Sequence, residues 1–190
     1  MFQSVTSFVA LFAIFIATGH TCPSIINRAE WGARPALSTT TLTKNPAPYV
    51  VIHHSDTPSC LTFTACKQRL QNIQEHHMSV NGWEDIGYNF VIGSEGTVFE
   101  GRGWGLKGSH AKPYNARSIG ICLMGKLQDN NPTAAQLMAL ESLIECGVEK
   151  GKITTGYRLI GHRQATKTAC PGDKMFRILK NMPNFEPKPR

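Results

Sequence analysis

The chain has 190 residues, of which 41% are hydrophobic and 17% charged, and its formal net charge is +7. This length suits one domain with a sizeable core, and the composition excludes an intrinsically disordered chain. The basic residues are scattered, and the sequence has neither zinc-finger spacing nor an RNA-binding signature, so we expect no nucleic-acid partner. Attraction to other polyanions and a generally soluble basic surface both stay open.

The first 19 residues predict a secretory signal peptide. Residues 8–17 are an unbroken apolar run, no Lys, Arg, Asp or Glu precedes Arg28, and Ala17-Thr18-Gly19 offers small residues for cleavage. The run has about half of the roughly 20 residues that a membrane-spanning helix needs. We therefore expect residues 20–190 to form a secreted domain with no membrane span, in which disulfides are plausible.

The first half of the chain predicts a strand, a helix and a hairpin, in that order. Residues 48–54 (PYVVIHH) have the apolar, β-branched and aromatic character of a buried strand. Apolar positions then recur at helical spacing and stop near Asn81-Gly82. Residues 88–92 and 97–100 flank a glycine-containing turn and predict a β-hairpin. The buried face of the predicted helix consists of Cys66, Leu70, Ile73 and His77.

The second half predicts a strand, a helix, a short strand and a last helix. Residues 119–124 are apolar, and Thr133 with Gln136 fits a capping box at the start of a helix that Gly151 ends. Its buried face is predicted at Leu137, Leu140, Ile144 and Val148. Residues 157–161 predict the short strand and residues 173–180 the last helix. These elements predict a single α/β domain with helices packed on a mixed sheet.

A glycine-rich segment matches a nucleotide-binding pattern but does not support that function. Residues 103–108 read G-x-G-x-x-G and follow a strand. A dinucleotide site needs a helix to begin at this point, and Pro113 blocks an early helix. A glycine-rich loop that lines a groove is the better interpretation.

Three residues are candidate metal ligands. His53 ends an apolar strand, His162 follows another strand, and Cys170 lies eight residues further on in a loop. Two neutral imidazoles and a thiolate would hold Zn²⁺ tetrahedrally and leave the fourth position for water, which equips a site for amide hydrolysis. From spacing alone, Cys170 in a secreted chain is more naturally half of a disulfide, and the histidines could be packed or surface residues.

Six segments, in this order along the chain, match the motifs of a known family. They are Ala29–Arg34, Val51–Ser55, Gly82–Phe90, Glu100–Trp104, Tyr114–Gly120 and Gly161–Arg163. On these motifs the chain resembles the peptidoglycan recognition proteins, which are related to bacteriophage amidases of the T7 lysozyme type. The resemblance covers nearly the whole mature chain. It implies the amidase type 2 fold, a mixed β-sheet flanked by three main helices, with a groove for bacterial peptidoglycan.

The resemblance also implies a reaction. Zinc would be held by His53, His162 and Cys170, and Tyr88 matches the tyrosine that assists at the scissile amide. Thr168 stands where phage relatives carry a lysine, so electrostatic help there should be weaker. The implied function is a zinc-dependent N-acetylmuramoyl-L-alanine amidase of innate immunity that hydrolyses the lactyl-L-alanine amide. The alternative is a non-catalytic peptidoglycan receptor or opsonin, but such members commonly have serine in place of the ligand cysteine.

Other residues are candidates for contact with peptidoglycan. His110, Trp83 and Trp104 could contact sugar or peptide, and His54 could line the groove beside a ligand. For His54, Trp83 and Trp104, packing in the protein interior is an equally open interpretation.

The third residue of the peptide stem is either lysine or meso-diaminopimelic acid, and two positions bear on that choice. Gly105 and Arg117 resemble family members that favour the diaminopimelate type, because a guanidinium can bind the extra carboxylate. Leu106 matches neither class, and Arg117 could instead be a solvated surface charge. We expect a monomer that prefers diaminopimelate-type peptidoglycan.

The resemblance finally sorts the six cysteines. It implies disulfides between Cys60 and Cys66, beside the first main helix, and between Cys22 and Cys146, from the N-terminal segment to the second. Cys122 would then be a buried free thiol.

Overall fold

The computed structural model describes residues 22–189. The predicted signal peptide, residues 1–19, lies outside this range. Within it, no helix has both the length and the apolar character needed to cross a membrane.

A mixed sheet of six strands forms the centre of the domain. Its spatial order is β1-β4-β3-β5-β2-β6. Strands β3, β5, β2 and β6 run parallel to one another. Strand β4 is antiparallel to β3, and β1 is parallel to β4. The strands are β1 (Ile25–Ile26), β2 (Ala47–His54), β3 (Phe90–Ile92), β4 (Val98–Glu100), β5 (Ser118–Leu123) and β6 (Ile153–Gly161).

Three main helices flank the sheet, as predicted. Two further helices are single turns, and α2 continues into a π-helical turn, His76–Val80. The capping box at the start of α3 is present, with Thr133 and Gln136 each accepting a backbone N–H from the other. The helices are α1 (Arg28–Trp31), α2 (Phe63–Glu75), α3 (Ala134–Glu149), α4 (His162–Ala165) and α5 (Asp173–Leu179).

The alternation of side chains along β2 divides the core into two sides. Val50 and Ile52 pack with residues of α3 and α5. His53 points to the other side, because it pairs with Cys122, which packs with Leu70 of α2. Every side chain from Val50 to His54 is buried, so β2 holds its last two residues, His53 and His54, in fixed positions.

The sequence prediction was wrong about β6 and missed the smallest elements. Strand β6 begins at Ile153, four residues before the predicted start. It is an edge strand, and residues 154–157 are half-buried or exposed, so the sequence has no apolar alternation there. Strand β1 has two residues, and α1 and α4 four each, which is too short for a periodic pattern.

The cysteine assignment implied by the resemblance is confirmed. Cys22 is bonded to Cys146, which joins the start of the described chain to α3. Cys60 is bonded to Cys66 and closes a small loop at the start of α2. Among residues 22–189, Cys122 and Cys170 are the free cysteines, and both are buried.

Candidate metal centre and its groove

Two neighbouring parallel strands and one loop bring the three predicted metal ligands together. His53 lies at the carboxyl end of β2, and His162 directly follows β6, which pairs with β2. Cys170 comes from the loop between α4 and α5. One potential ligand atom from each residue lies within 4.8 Å of the other two. The carboxyl ends of parallel strands meet at one edge of a sheet, which is a common position for functional residues.

The spacing of these atoms fits one tetrahedral zinc ion. The Nδ1 of His53 is 3.7 Å from the Sγ of Cys170. Zn–N and Zn–S bonds at a tetrahedral angle place the two donor atoms about 3.5 Å apart. The sulfur is held by the backbone N–H of His54, which donates to it at 3.3 Å. Thr168, which is exposed, accepts the backbone N–H of Cys170 at 3.2 Å and so supports the same loop.

Burial keeps the three groups uncharged. It is the main reason why the pKa of His53 lies well below its ordinary value, with the neighbouring His110 and His162 lowering it further. Burial, with a smaller contribution from His54, lowers the pKa of His162 to about 4. Burial also raises the pKa of Cys170 to about 12. Neutral imidazoles can bind a metal directly, whereas the Cys170 thiol must lose its proton to become a zinc ligand.

Tyr88 lies beside the cluster. Its ring centroid is 5.2 Å from that of His53, and the Cys122 thiol lies close enough to its hydroxyl to contribute to the shift of its pKa. Burial raises the pKa of Tyr88 well above its ordinary value, so the phenol remains protonated and able to donate a hydrogen bond.

Two further histidines, His77 and His110, lie near the cluster, and the sequence alone did not predict which side chains their rings contact. His77 lies in the π-helical turn, with ring centroids 4.6 Å from Trp83 and 5.5 Å from Tyr88. Its Nδ1 accepts the backbone N–H of Gly87 at 3.0 Å. His110 lies with its Nδ1 3.0 Å from the Nε2 of His53. Helical spacing correctly predicted that His77 is buried, but no local pattern reveals which ring it meets.

Two cavities adjoin the metal cluster and Tyr88. A cavity of about 450 Å³ adjoins His162 and is lined by His110, Trp83 and Lys112, among others. A second cavity, of about 300 Å³, adjoins Tyr88 and is lined mainly by α2, including Arg69, together with the π-helical turn that continues it. His110 and Trp83 therefore lie where a bound substrate could contact them.

Four of the predicted contact residues do not line either cavity. His54 is packed, and its Nδ1 accepts the backbone N–H of Leu127 at 3.2 Å. Trp104 packs on Phe90, with ring centroids 4.3 Å apart, against the core on the side of α3. The carbonyl of Gly105 accepts the backbone N–H of Leu42 at 2.9 Å.

Arg117 is the fourth of these residues. Its guanidinium lies over the rings of Tyr49 and Tyr114, at 4.9 and 4.7 Å from their centroids. These contacts place the half-buried Arg117 near the amino end of β2.

The glycine-rich segment is a loop, as predicted. Gly103 and Gly105 have φ of 72° and 78°, which favours glycine, and no helix begins between residues 103 and 117. A second group of potential ligands consists of Cys60, Cys66 and Glu95. The two sulfurs are joined in a disulfide, so this group is not a metal site.

Comparison with known proteins agrees with this geometry. A family model described as N-acetylmuramoyl-L-alanine amidase matches residues 43–173. Peptidoglycan-recognition protein SC2 of Drosophila melanogaster is 43% identical over 178 residues, which cover 94% of this chain and 96% of the relative. The N-acetylmuramoyl-L-alanine amidase of Homo sapiens is 39% identical over 167 residues, covering 86% of this chain and 29% of that longer protein.

A solved structure is similar over most of the domain. It is peptidoglycan recognition protein-LE in complex with tracheal cytotoxin, a monomeric diaminopimelic acid-type peptidoglycan. The TM-score is 0.84 at 37% identity, and the match covers 85% of this chain and 95% of that one. The sheet topology and the family model together define an amidase-type α/β domain. The chain belongs to the peptidoglycan recognition protein family.

Proposed function

We propose that this protein is a secreted, zinc-dependent N-acetylmuramoyl-L-alanine amidase. It would hydrolyse the amide between the lactyl group of N-acetylmuramic acid and the first L-alanine of the peptidoglycan stem, as part of innate immunity. The observation that carries the proposal is the cluster of His53, His162 and Cys170, whose ligand atoms lie within 4.8 Å of one another. Two imidazoles and one thiolate form the donor set of a catalytic zinc site that keeps an open position.

Zinc, when bound, polarises the amide carbonyl and makes a nucleophile available at neutral pH. The protein supplies the rest. The hydroxyl of Tyr88 donates a hydrogen bond to the oxyanion that develops on the amide oxygen. The cavities beside His162 and Tyr88 hold the two sides of the scissile bond. Thr168 accepts the backbone N–H of Cys170 and so helps to position this ligand, and its hydroxyl gives weaker electrostatic help to the reaction than the lysine of phage relatives.

The competing function is recognition without catalysis, since relatives in this family carry both kinds of name. Cys170 favours the enzyme, because a thiolate is a much better zinc ligand than the serine common in non-catalytic members. A pure receptor would also have no use for a buried imidazole, a half-buried imidazole and a buried thiol whose ligand atoms face one point.

The test combines metal analysis with identification of products. We expect the purified mature protein to carry about one zinc per chain and to release free stem peptides from peptidoglycan. A chelator should abolish the release, and added zinc should restore it. Cys170→Ser should lose zinc and hydrolysis but still bind peptidoglycan. The matched control is Cys122→Ala, a change at the other free buried cysteine, which should keep the zinc.

Two results would contradict the proposal. One is active protein that contains no zinc when freshly purified. The other is full hydrolytic activity in the Cys170→Ser variant. Binding of peptidoglycan by a wild type that holds zinc but releases no peptide would favour the receptor instead.

We propose further that diaminopimelate-type peptidoglycan is the preferred substrate. The proposal rests on the resemblance of Gly105 and Arg117 to family members that favour this type, because a guanidinium can bind the additional carboxylate of diaminopimelate in two hydrogen bonds. A relative in the same family has been solved with a peptidoglycan fragment of this type.

A further inference from the structure

His110 makes a buried contact with one of the three proposed metal ligands. The Nε2 of His53 and the Nδ1 of His110 are 3.0 Å apart, a hydrogen-bond distance. Both side chains are nearly excluded from solvent, at 1% and 7% exposure. The other ring nitrogen of His53 is the one that faces Cys170.

This arrangement allows only one set of proton positions once His53 binds a metal through Nδ1. The ring proton of His53 must then be on Nε2, which donates to the Nδ1 of His110. His110 therefore carries its own proton on Nε2. That nitrogen is 3.5 Å from the hydroxyl of Ser118, the longest and weakest link. Ser118 can accept it, since its own hydroxyl proton goes to the carbonyl of Tyr114 at 2.8 Å.

The imidazole of His110 is held in place from several directions. The side chain of Asn115 accepts the backbone N–H groups of His110 and Ala111, at 2.9 and 2.7 Å. A Cβ atom at Gly108 or at Gly120 would overlap the His110 ring, so both positions need glycine. The last glycine of the G-x-G-x-x-G segment thus makes room for this ring rather than for a nucleotide.

We propose that His110 is a positioning residue for the metal centre. Its Nδ1 fixes the tautomer and the ring orientation of His53, so that His53 presents an unprotonated Nδ1 to zinc. Partners of this kind commonly set metal affinity, and their loss typically weakens it about 10–100-fold. The inference rests on the proposed function in one respect, namely that zinc binds at His53, His162 and Cys170.

The decisive experiment compares two amide substitutions at this position. In His110→Asn, the amide oxygen can occupy nearly the place of Nδ1, whereas the longer side chain of His110→Gln puts its amide near the place of Nε2. Both replacements are polar and no larger than histidine, so both should fold. The dissociation constant for zinc is measured on the full mature protein by competition with a fluorescent chelator. We expect the Gln variant to bind zinc about 10–100-fold more weakly and the Asn variant to stay within about threefold of wild type.

A control separates metal positioning from effects of the cavity. Lys112 lines the same cavity as His110, and Lys112→Ala should leave zinc affinity unchanged. Cobalt substitution gives a second readout, because the absorption bands of Co²⁺ report ligand geometry; they should shift in the Gln variant and match wild type in the Asn variant.

The outcomes distinguish this inference from the proposed function. Equal zinc affinity in wild type and both variants, or an equal loss in both variants, would overturn the role of His110 while leaving the zinc amidase intact. A wild type that binds no zinc would overturn both.

Discussion

Replacing Tyr88 with phenylalanine removes one hydroxyl and leaves the ring. The ring contacts with His53 and His77, at centroid distances of 5.2 and 5.5 Å, should survive. The hydroxyl lies near the Cys122 thiol, and the loss of one hydrogen bond would lower the free energy of unfolding by only about 1 kcal/mol. Tyr88→Phe should therefore fold normally, and it should bind zinc as tightly as wild type.

The effect on catalysis should be much larger than the effect on stability. If the hydroxyl donates to the developing oxyanion, its removal raises the activation free energy by about 3–4 kcal/mol, or about 10²–10³-fold in kcat. The KM should change little, because the hydrogen bond forms mainly in the transition state. Since burial raises the pKa of Tyr88, the wild-type hydroxyl is protonated throughout the working pH range.

The assay is steady-state hydrolysis of a soluble muropeptide, with kcat and KM measured separately and zinc content determined on the same samples. The control is Cys122→Ala, which removes the thiol near the hydroxyl but keeps the hydroxyl itself, and it should lower kcat by less than about tenfold. A Tyr88→Phe variant with kcat within about threefold of wild type would remove Tyr88 from the mechanism. A rise in KM at constant kcat would mean that the hydroxyl binds the ground state only.

Three further predictions concern stability and specificity. The Cys22–Cys146 bridge spans 124 residues, and replacing both of its cysteines should lower the free energy of unfolding by about 5 kcal/mol in the chain-entropy model. The Cys60–Cys66 bridge spans only six residues, and its removal should cost about 2 kcal/mol. Urea titration without reductant checks this, and equal losses would refute the loop-size account. The pKa of His77 is lowered from 6.5 to about 4, mainly by burial and further by His76 and Arg102, while Asp85 opposes the shift. The unfolded chain therefore binds a proton more readily than the folded one, and stability should fall as the pH drops from about 6.5 to about 4. Between pH 7 and 4.5, the free energy of unfolding of the metal-free His77→Asn variant should fall by on the order of 2 kcal/mol less than that of metal-free wild type. Identical pH profiles of stability would show that His77 does not cause the loss. Arg117→Ala should reduce the ratio of affinities for diaminopimelate-type over lysine-type stems by about ten- to a hundredfold. The control is Arg158→Ala, at another arginine that stacks on Tyr49, and it should leave this ratio unchanged. Matched muropeptides that differ only at the third stem residue measure this, and a wild type that treats both stems alike would end the proposal.

Much of the fold could be predicted because its signals are local. Strand β2 is a continuous apolar run, since it is buried on both faces of the sheet, and the capping box of α3 lies within four consecutive residues. The helix-period pattern of α2 and the glycine turn of the hairpin are equally local. Strand β6 was predicted too short because its first residues lie at the sheet edge, where exposure removes the alternation that marks a strand.

The candidate site depended on both sources. Metal-ligating residue types at strand ends, together with the family motifs, were enough to name His53, His162 and Cys170. Only the tertiary structure brought His110 and the ring of Tyr88 against His53 and placed Trp104 on the opposite side of the sheet. Contacts of this kind join side chains far apart in sequence and depend on strand register and on the direction of each side chain. Local patterns carry no record of either, because they reflect only whether a position is buried and in which type of element.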